Sequence, residues 1–267
     1  MKNNLVQARA TAFDGMAGEY DTEFTATPLG SVLRAMVWKR YERRFGGSEH
    51  LLEIGCGTGE DAVELARRGH RVFAIDASEQ MVRVAQRKAE SAGVAHRIQF
   101  RCVPMESLGT QLSGMTFDGV YSNFGALNCA ADVETLAADL APRLAPGAPL
   151  VWVVMGRHVP WEWAWYLAHG EARKAFRRLS RGGVSWGGLQ VSYPTPTALT
   201  RALRPHFAAC GARSLGFVLP PSYAAAWLNR SPRVLAALTR AERAAQRWQA
   251  CASLSDHYIL EAERLPV

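Results

Sequence analysis

The densest chemistry in the chain lies between residues 51 and 76, LLEIGCGTGEDAVELARRGHRVFAID. Glu53 precedes a turn carrying Gly55, Cys56, Gly57 and Gly59, and an amphipathic run follows at once. Glycines permit a tight turn and let a ligand approach main-chain N–H groups, which at a helix start attract a carboxylate or phosphate. Asp76 closes the next apolar run, and a carboxylate at a strand end can accept hydrogen bonds from ribose hydroxyls. A unit of this kind binds a nucleoside. Dinucleotide-binding turns space their glycines G-x-G-x-x-G, with a pyrophosphate on the helix. Here the spacing is G-x-G-x-G, followed by Glu60 and Asp61. Two carboxylates in a first helical turn suit the helix dipole but repel a pyrophosphate. The turn therefore favours a nucleoside that carries cationic centres and no phosphate.

S-adenosyl-L-methionine, with an ammonium and a sulfonium, meets that description. E-I-G-C-G-T-G with Asp76 downstream resembles the signature of class I S-adenosylmethionine-dependent methyltransferases, and the likeness covers residues 13 to about 155. Upstream, Phe13-Asp14, Ala17 and Tyr20-Asp21 are similar to the FDxxAxxYD entry of small-molecule methyltransferases, those acting on quinones included. The resemblance implies a Rossmann-like α/β fold with a seven-stranded, mostly parallel sheet and helical lid insertions. It implies that Tyr20 closes over the methionine end of the cofactor and that Pro104-Met105-Glu106 lies beside the adenine. Ser122-Asn123-Phe124-Gly125 would line the methyl-transfer site. Ala77, next to Asp76, and Met81 complete the expected cofactor set, although Met81 and Met105 also read as core residues. Asp118 reads as support for a turn.

Methyl transfer is an in-line displacement, and orientation alone can lower such a barrier by roughly 7–11 kcal/mol. A general base is needed only where the acceptor is protonated at working pH. The segment RHVPWEWAWYLAHGEARKAFRRL follows the fifth apolar run, with Pro160 at a helix start and Trp161, Trp163 and Trp165 behind it. His158, Glu162, Tyr166 and His169 are spaced four, four and three apart and share a helical face. The expectation is a lid over the acceptor, with His158, Glu162 and Tyr166 as catalytic residues and His158 or Glu162 as the base. A solvent-facing amphipathic helix is the plainer alternative. His257, opening a strand, is a lesser candidate.

These residues must be positioned by a regular alternation of elements. Strands are expected at 51–54, 71–75, 97–102, 117–122 and 149–155, with helices at 59–68, 78–91 and 132–144. A helix at 195–207 and strands at 214–219 and 257–262 complete the sheet. The whole reads as one domain: a helical cap over 1–50, whose better helix opens at Thr27-Pro28 and runs to Phe45, a cofactor core over 51–156, a lid over 157–188, and a C-terminal part with a helical insertion at about 220–254.

Composition narrows the partners. The 267 residues are 48% hydrophobic and 21% charged, enough for a sizeable core. No apolar run approaches the ~20 residues of a membrane span, and no signal-peptide pattern opens the chain, so a cytoplasmic location is expected. Five cysteines without a CxxC pair argue against a disulfide framework or structural zinc, and no metal is expected. The net charge of +7 gathers in residues 173–181 and 230–247, read first as solvated helix faces. An anionic acceptor, a membrane surface and RNA are the alternatives. Asn123-Phe124-Gly125-Ala126 departs from the (N/D)PP(Y/F) pattern of enzymes that methylate exocyclic base nitrogens. The expected partner is a small hydrophobic, aromatic or lipid-like acceptor, with peripheral membrane contact open through the Trp- and Arg-rich segments. An RNA-modifying methyltransferase, or a cofactor-binding enzyme such as a cyclase, would carry the same cofactor signature.

Overall fold

The computed structural model describes residues 13–15, 21, 25–225 and 227–266. Helix α1 spans Pro28–Phe45; Thr27 caps it by accepting the Gly30 N–H at 3.0 Å, and Pro28 starts it with φ preset. Strand β1 (His50–Ile54) leads through the glycine turn into α2 (Glu60–Arg67). Strand β2 (Arg71–Asp76) follows, then α3 (Glu79–Ser91), capped by the Ser78 hydroxyl on the Met81 N–H. Next come β3 (Ile98–Cys102), β4 (Gly119–Ser122), α4 (Val133–Leu140) and β5 (Pro149–Met155). Beyond β5 lie α5 (Pro160–Ala168), a hairpin of β6 (Val184–Trp186) and β7 (Leu189–Val191), and α6 (Pro196–Leu203). Strand β8 (Phe207–Leu215), α7 (Pro232–Ala245) and β9 (His257–Arg264) complete the order.

Seven strands form one sheet in the order β3-β2-β1-β4-β5-β9-β8. Strand β9 is antiparallel to both its neighbours, so six strands run one way and one runs back. Both faces of the sheet's centre are covered, which is why β1, β2, β4 and β5 read as apolar runs rather than as alternation. Leu150, Trp152 and Val154 of β5 enter the core on one face, and Val151 and Val153 enter the core on the other. Helix α1 closes the second face: Leu33, Val37 and Tyr41 pack there, and Arg40 grips Glu261 of β9 at 2.5 and 2.7 Å. Among the described residues no helix is long and apolar enough to cross a membrane.

The structure departs from the sequence expectation at two elements. The helix expected over 195–207 stops at Leu203, because Pro205 has no N–H to continue the ladder. The strand expected at 214–219 instead spans Phe207–Leu215. It is an edge strand with a bulge between Ala209 and Gly211, so much of it is exposed and its sequence lacks a buried stripe. The lid segment is also not wholly helical. Gly187 and Gly188, at φ +55° and +81°, make the tight turn of the β6–β7 hairpin, whose three-residue strands are too short to show periodicity.

Candidate active site

The parallel strands β1, β2, β4 and β5 end on the same side of the sheet, and a cavity of about 410 Å³ opens beyond those ends. The glycine turn forms one wall. Gly55 takes φ +72°, and a Cβ there would stand 2.2 Å from the Ala126 Cβ, so only glycine lets the turn lie against the loop after β4. Gly57 takes φ +51° with no protein atom within 4 Å of an added Cβ, because it faces the cavity itself. Asp76 stands at the end of β2 and braces this wall. One carboxylate oxygen accepts the Gly57 N–H at 2.8 Å, and the other accepts the Ser78 N–H at 2.9 Å. Burial raises the Asp76 carboxyl above its ordinary range, against the opposing pull of those N–H donors.

Ala77, Met81 and Met105, with Ile75 and Val103, line an apolar slot beside Asp76. Asn123 and Phe124 carry the wall across the end of β4. The Asn123 amide is pinned from behind by Asp61 at 2.9 Å, and its oxygen accepts the Phe124 N–H at 2.9 Å. Phe124 sits at φ +42°, unusual for a bulky side chain. The Arg34 guanidinium lies 4.9 Å over its ring, and His257 meets it edge-on at 5.5 Å.

Several expected residues stand elsewhere. Glu53 is buried behind the turn, where the Tyr121 hydroxyl donates to it at 3.1 Å; burial and Asp61 raise its carboxyl well above the usual range. Cys56 and Gly59 belong to the turn but not to the cavity wall, and Glu106 also lies outside that wall. Tyr20 lies outside the described residues. Asp118 accepts the Glu49 and His50 N–H groups at 2.8 Å each and thus supports the entry to β1. The two acids at the head of α2 do not meet the cavity as the sequence argument required. Asp61 is clamped by Arg34 and Trp38, each at 2.6 Å, and Glu60 pairs with Lys88 at 2.9 Å. Their charge is already neutralised within the protein, so they stabilise the fold around the turn rather than a bound cation.

The lid residues are arranged differently from one polar helical face. His158 precedes α5 and meets Trp163 edge-on, outside the cavity wall. Glu162 is fully buried between Arg177 (3.0 Å) and Arg178 (2.7 Å), with the Tyr223 hydroxyl donating at 3.2 Å. Tyr166 stacks on Tyr223 at 5.4 Å and lies under the Arg177 guanidinium at 5.4 Å. Arg178 also pairs with Asp256 at 2.8 Å, and Asp256 with His257 at 3.1 Å. Burial would raise the Asp256 carboxyl, but His257 and Arg178 override it and hold it far below the usual range.

The far wall of the cavity comes from the end of the segment expected as a lid and from the hairpin that follows, which the sequence reading did not foresee. Arg177, Val184, Trp186, Val191 and Tyr193 line it, and Val191 and Tyr193 pack there with Met155 and Cys129. Asn128 fastens this wall to the sheet: its amide binds Met155 N and O at 2.8 and 3.2 Å and Ser192 O at 2.7 Å. The Gly-Gly pair inside VSWGGLQV was the available signal. What the hairpin folds over could not be read from it.

The donor set fits a nucleoside without phosphates. A half-buried carboxylate beside an apolar slot suits ribose and adenine, while no Lys or Arg stands among the described residues on that side of the cavity. Among the described residues no cluster of three His, Cys, Asp or Glu is placed to hold a metal.

Comparison with known proteins agrees with this geometry. Residues 51–147 match the model of a methyltransferase domain. The chain is 29% identical to the tRNA 5-carboxymethoxyuridine methyltransferase of Escherichia coli K12, over 55% of this chain and 57% of that one. It is also 29% identical to the ubiquinone biosynthesis O-methyltransferase of Sinorhizobium medicae, over 68% and 75%. The chain thus spans little more than half the length of the first of these relatives. Among solved structures, the CcbJ methyltransferase of Streptomyces caelestis superposes with a TM-score of 0.62 at 15% identity, covering 97% of this chain and 99% of that one, a likeness of fold. Motif, sheet order, cavity chemistry and these matches together support a class I S-adenosylmethionine-dependent methyltransferase domain over residues 51–147, with S-adenosylmethionine as the cofactor that fits it.

Proposed function

We propose that the protein transfers a methyl group to a small, largely apolar acceptor held between the strand ends and the β6–β7 hairpin. The observation that carries this reading is the continuity of one cavity. It runs from Gly57 and Asp76 at one end to Phe124, Met155, Trp186 and Tyr193 at the other. The bound cofactor supplies an electrophilic methyl group on a sulfonium. Asp76 holds the ribose hydroxyls, and Ile75, Ala77, Met81, Val103 and Met105 enclose the adenine. Asn123, fixed by Asp61, sets Phe124 on the cavity wall. The hairpin excludes water and limits the acceptor's orientations, the source of rate that such a displacement most needs.

On this reading the buried Glu162 and Tyr166 hold Arg177 in place and remove no proton from the acceptor. Asp76 is the one carboxylate among the described lining residues, and no imidazole lines the cavity there. The acceptor therefore arrives as a nucleophile that needs no protein base, or ionises in the cavity.

The test is transfer of a labelled methyl group from S-adenosylmethionine to a panel of aromatic and quinone-like molecules. Trp186→Ala should cut turnover at least tenfold, because it opens the acceptor wall, while S-adenosylhomocysteine affinity stays within about twofold. Transfer to none of the panel, or equal loss of both properties in the variant, would refute the assignment. RNA is the second reading, favoured by the likeness to a tRNA methyltransferase and the +7 charge. A steep fall of RNA binding with salt, together with methyl transfer to transcript, would replace the first reading with it.

A further inference from the structure

Arg177 differs from every other residue on the cavity wall. Among the described lining residues it is the one cation, and it shares the cavity wall with Val184, Trp186, Val191 and Tyr193. Its side chain is held on two sides. The carboxylate of Glu162, itself inaccessible to solvent, forms an ion pair with Nε at 3.0 Å, and the Tyr166 ring lies under the guanidinium at 5.4 Å. Glu162 divides its charge with the neighbouring Arg178, whose Nε lies 2.7 Å away and whose Nη2 takes Asp256 at 2.8 Å. Arg178 is thus bound between two carboxylates, while Arg177 has part of one.

A guanidinium with its Nε engaged keeps two Nη groups, which carry four of its five N–H donors. That edge matches the two oxygens of a carboxylate, and the match is strongest where apolar neighbours lower the local dielectric. A guanidinium already fixed by an ion pair and an aromatic face also loses little side-chain freedom when it binds. We propose that Arg177 is an anion anchor and that the methyl acceptor is a hydrophobic carboxylate, its acid group on Arg177 and its apolar body against Trp186 and Tyr193. This rests on the methyl-transfer reading above. Glu162 and Tyr166 are positioning residues for the anchor.

The test uses the full chain saturated with S-adenosylhomocysteine, with naphthoate and its neutral counterpart naphthamide as probes in calorimetric titrations. Naphthoate should bind at least about tenfold more tightly than naphthamide, the scale of a charge-assisted hydrogen-bond pair. Arg177→Gln should abolish that preference while leaving S-adenosylhomocysteine affinity within about twofold. Arg177→Lys, which keeps the charge but not the fork, should retain only part of it. Glu162→Gln should narrow the preference without changing naphthamide binding, a signature that mere loss of packing would not produce. Equal binding of the two probes, binding of neither, or a preference that survives Arg177→Gln would overturn the proposal. A matching loss of S-adenosylhomocysteine affinity in Arg177→Gln would overturn it too, by assigning the arginine to the cofactor's own carboxylate. Failure of the unaltered protein to bind S-adenosylhomocysteine would instead remove the methyl-transfer reading, and the anchor with it.

Discussion

Replacing Asp76 by Asn separates bracing the turn, which the structure shows, from holding ribose, the task proposed for it. In the free protein its carboxylate accepts two main-chain N–H groups, from Gly57 at 2.8 Å and Ser78 at 2.9 Å. Asn retains one acceptor of nearly the same shape and turns a donor toward the other N–H. The loss of one charge-assisted bond costs about 1.5–3 kcal/mol. An opposing effect comes from burial. The Asp76 carboxyl is raised above its ordinary range, so its ionised form is disfavoured in the fold relative to the unfolded chain. With the folded value above the unfolded one, stability from this group is fully present below the usual carboxylate range and is lost as pH rises through the folded value. At neutral pH the buried charge therefore works against the free fold, and the neutral amide relieves part of that cost. The two effects offset, leaving apo stability within about 1–2 kcal/mol of the parent. Cofactor binding has no such compensation. Losing the charged acceptor for ribose should weaken S-adenosylhomocysteine by about 1.5–3 kcal/mol, roughly 10- to 150-fold. Calorimetric titration with S-adenosylhomocysteine at neutral pH reads the affinity, and thermal unfolding without ligand reads the stability. The parent's affinity should also decline as Asp76 takes up its proton, beginning above the usual carboxylate range, while the Asn variant stays flat. An Asn variant that binds within threefold of the parent, or that loses stability as much as affinity, would show that Asp76 braces the turn and does nothing more.

Two glycine substitutions should behave oppositely. Gly55→Ala places a methyl 2.2 Å from Ala126 at φ +72° and should lower unfolding stability by about 2–5 kcal/mol, measured by denaturant titration. Gly57→Ala meets no protein atom within 4 Å, so it should cost only about 1–2 kcal/mol of backbone strain yet obstruct S-adenosylhomocysteine. Equal affinity in that variant would show that the turn does not face the cofactor. Asp256→Asn leaves the buried Arg178 undercompensated and should cost about 3–5 kcal/mol at neutral pH. Because the folded Asp256 carboxyl is depressed, its contribution is present above the unfolded value and is lost as pH falls through the folded one. The gap between parent and variant should therefore narrow on acidification below the usual carboxylate range. A gap independent of pH would contradict the assigned pairing.

The strand, glycine turn and Asp76 that form one end of the cavity were legible in the chain because these parts are local. Strand, glycine turn, helix and the strand ending at Asp76 follow one another within a single stretch, and each step has a sequence rule behind it. The same holds for the cap at Thr27-Pro28, the cap at Ser78 and the parallel strands β1, β2, β4 and β5, whose double-sided burial leaves runs of apolar residues. The partners of charged side chains were not legible, because residues distant in sequence determine them. Asp61 and Glu60 looked free to face a cation, yet Arg34 from α1 and Lys88 from α3 neutralise them. His158, Glu162 and Tyr166 lay at helical spacing, but a stripe does not say what covers it. Folding buried Glu162 under Arg177 and Arg178 and gave the cavity wall to the arginine. The far end of the cavity was beyond local reading for the same reason. Its wall is a hairpin of two three-residue strands, too short to carry a period, brought over the ends of β4 and β5 by Asn128. Spacing along the chain determines which residues share an element, whereas long-range packing determines which charges meet, which are cancelled and which face the cavity.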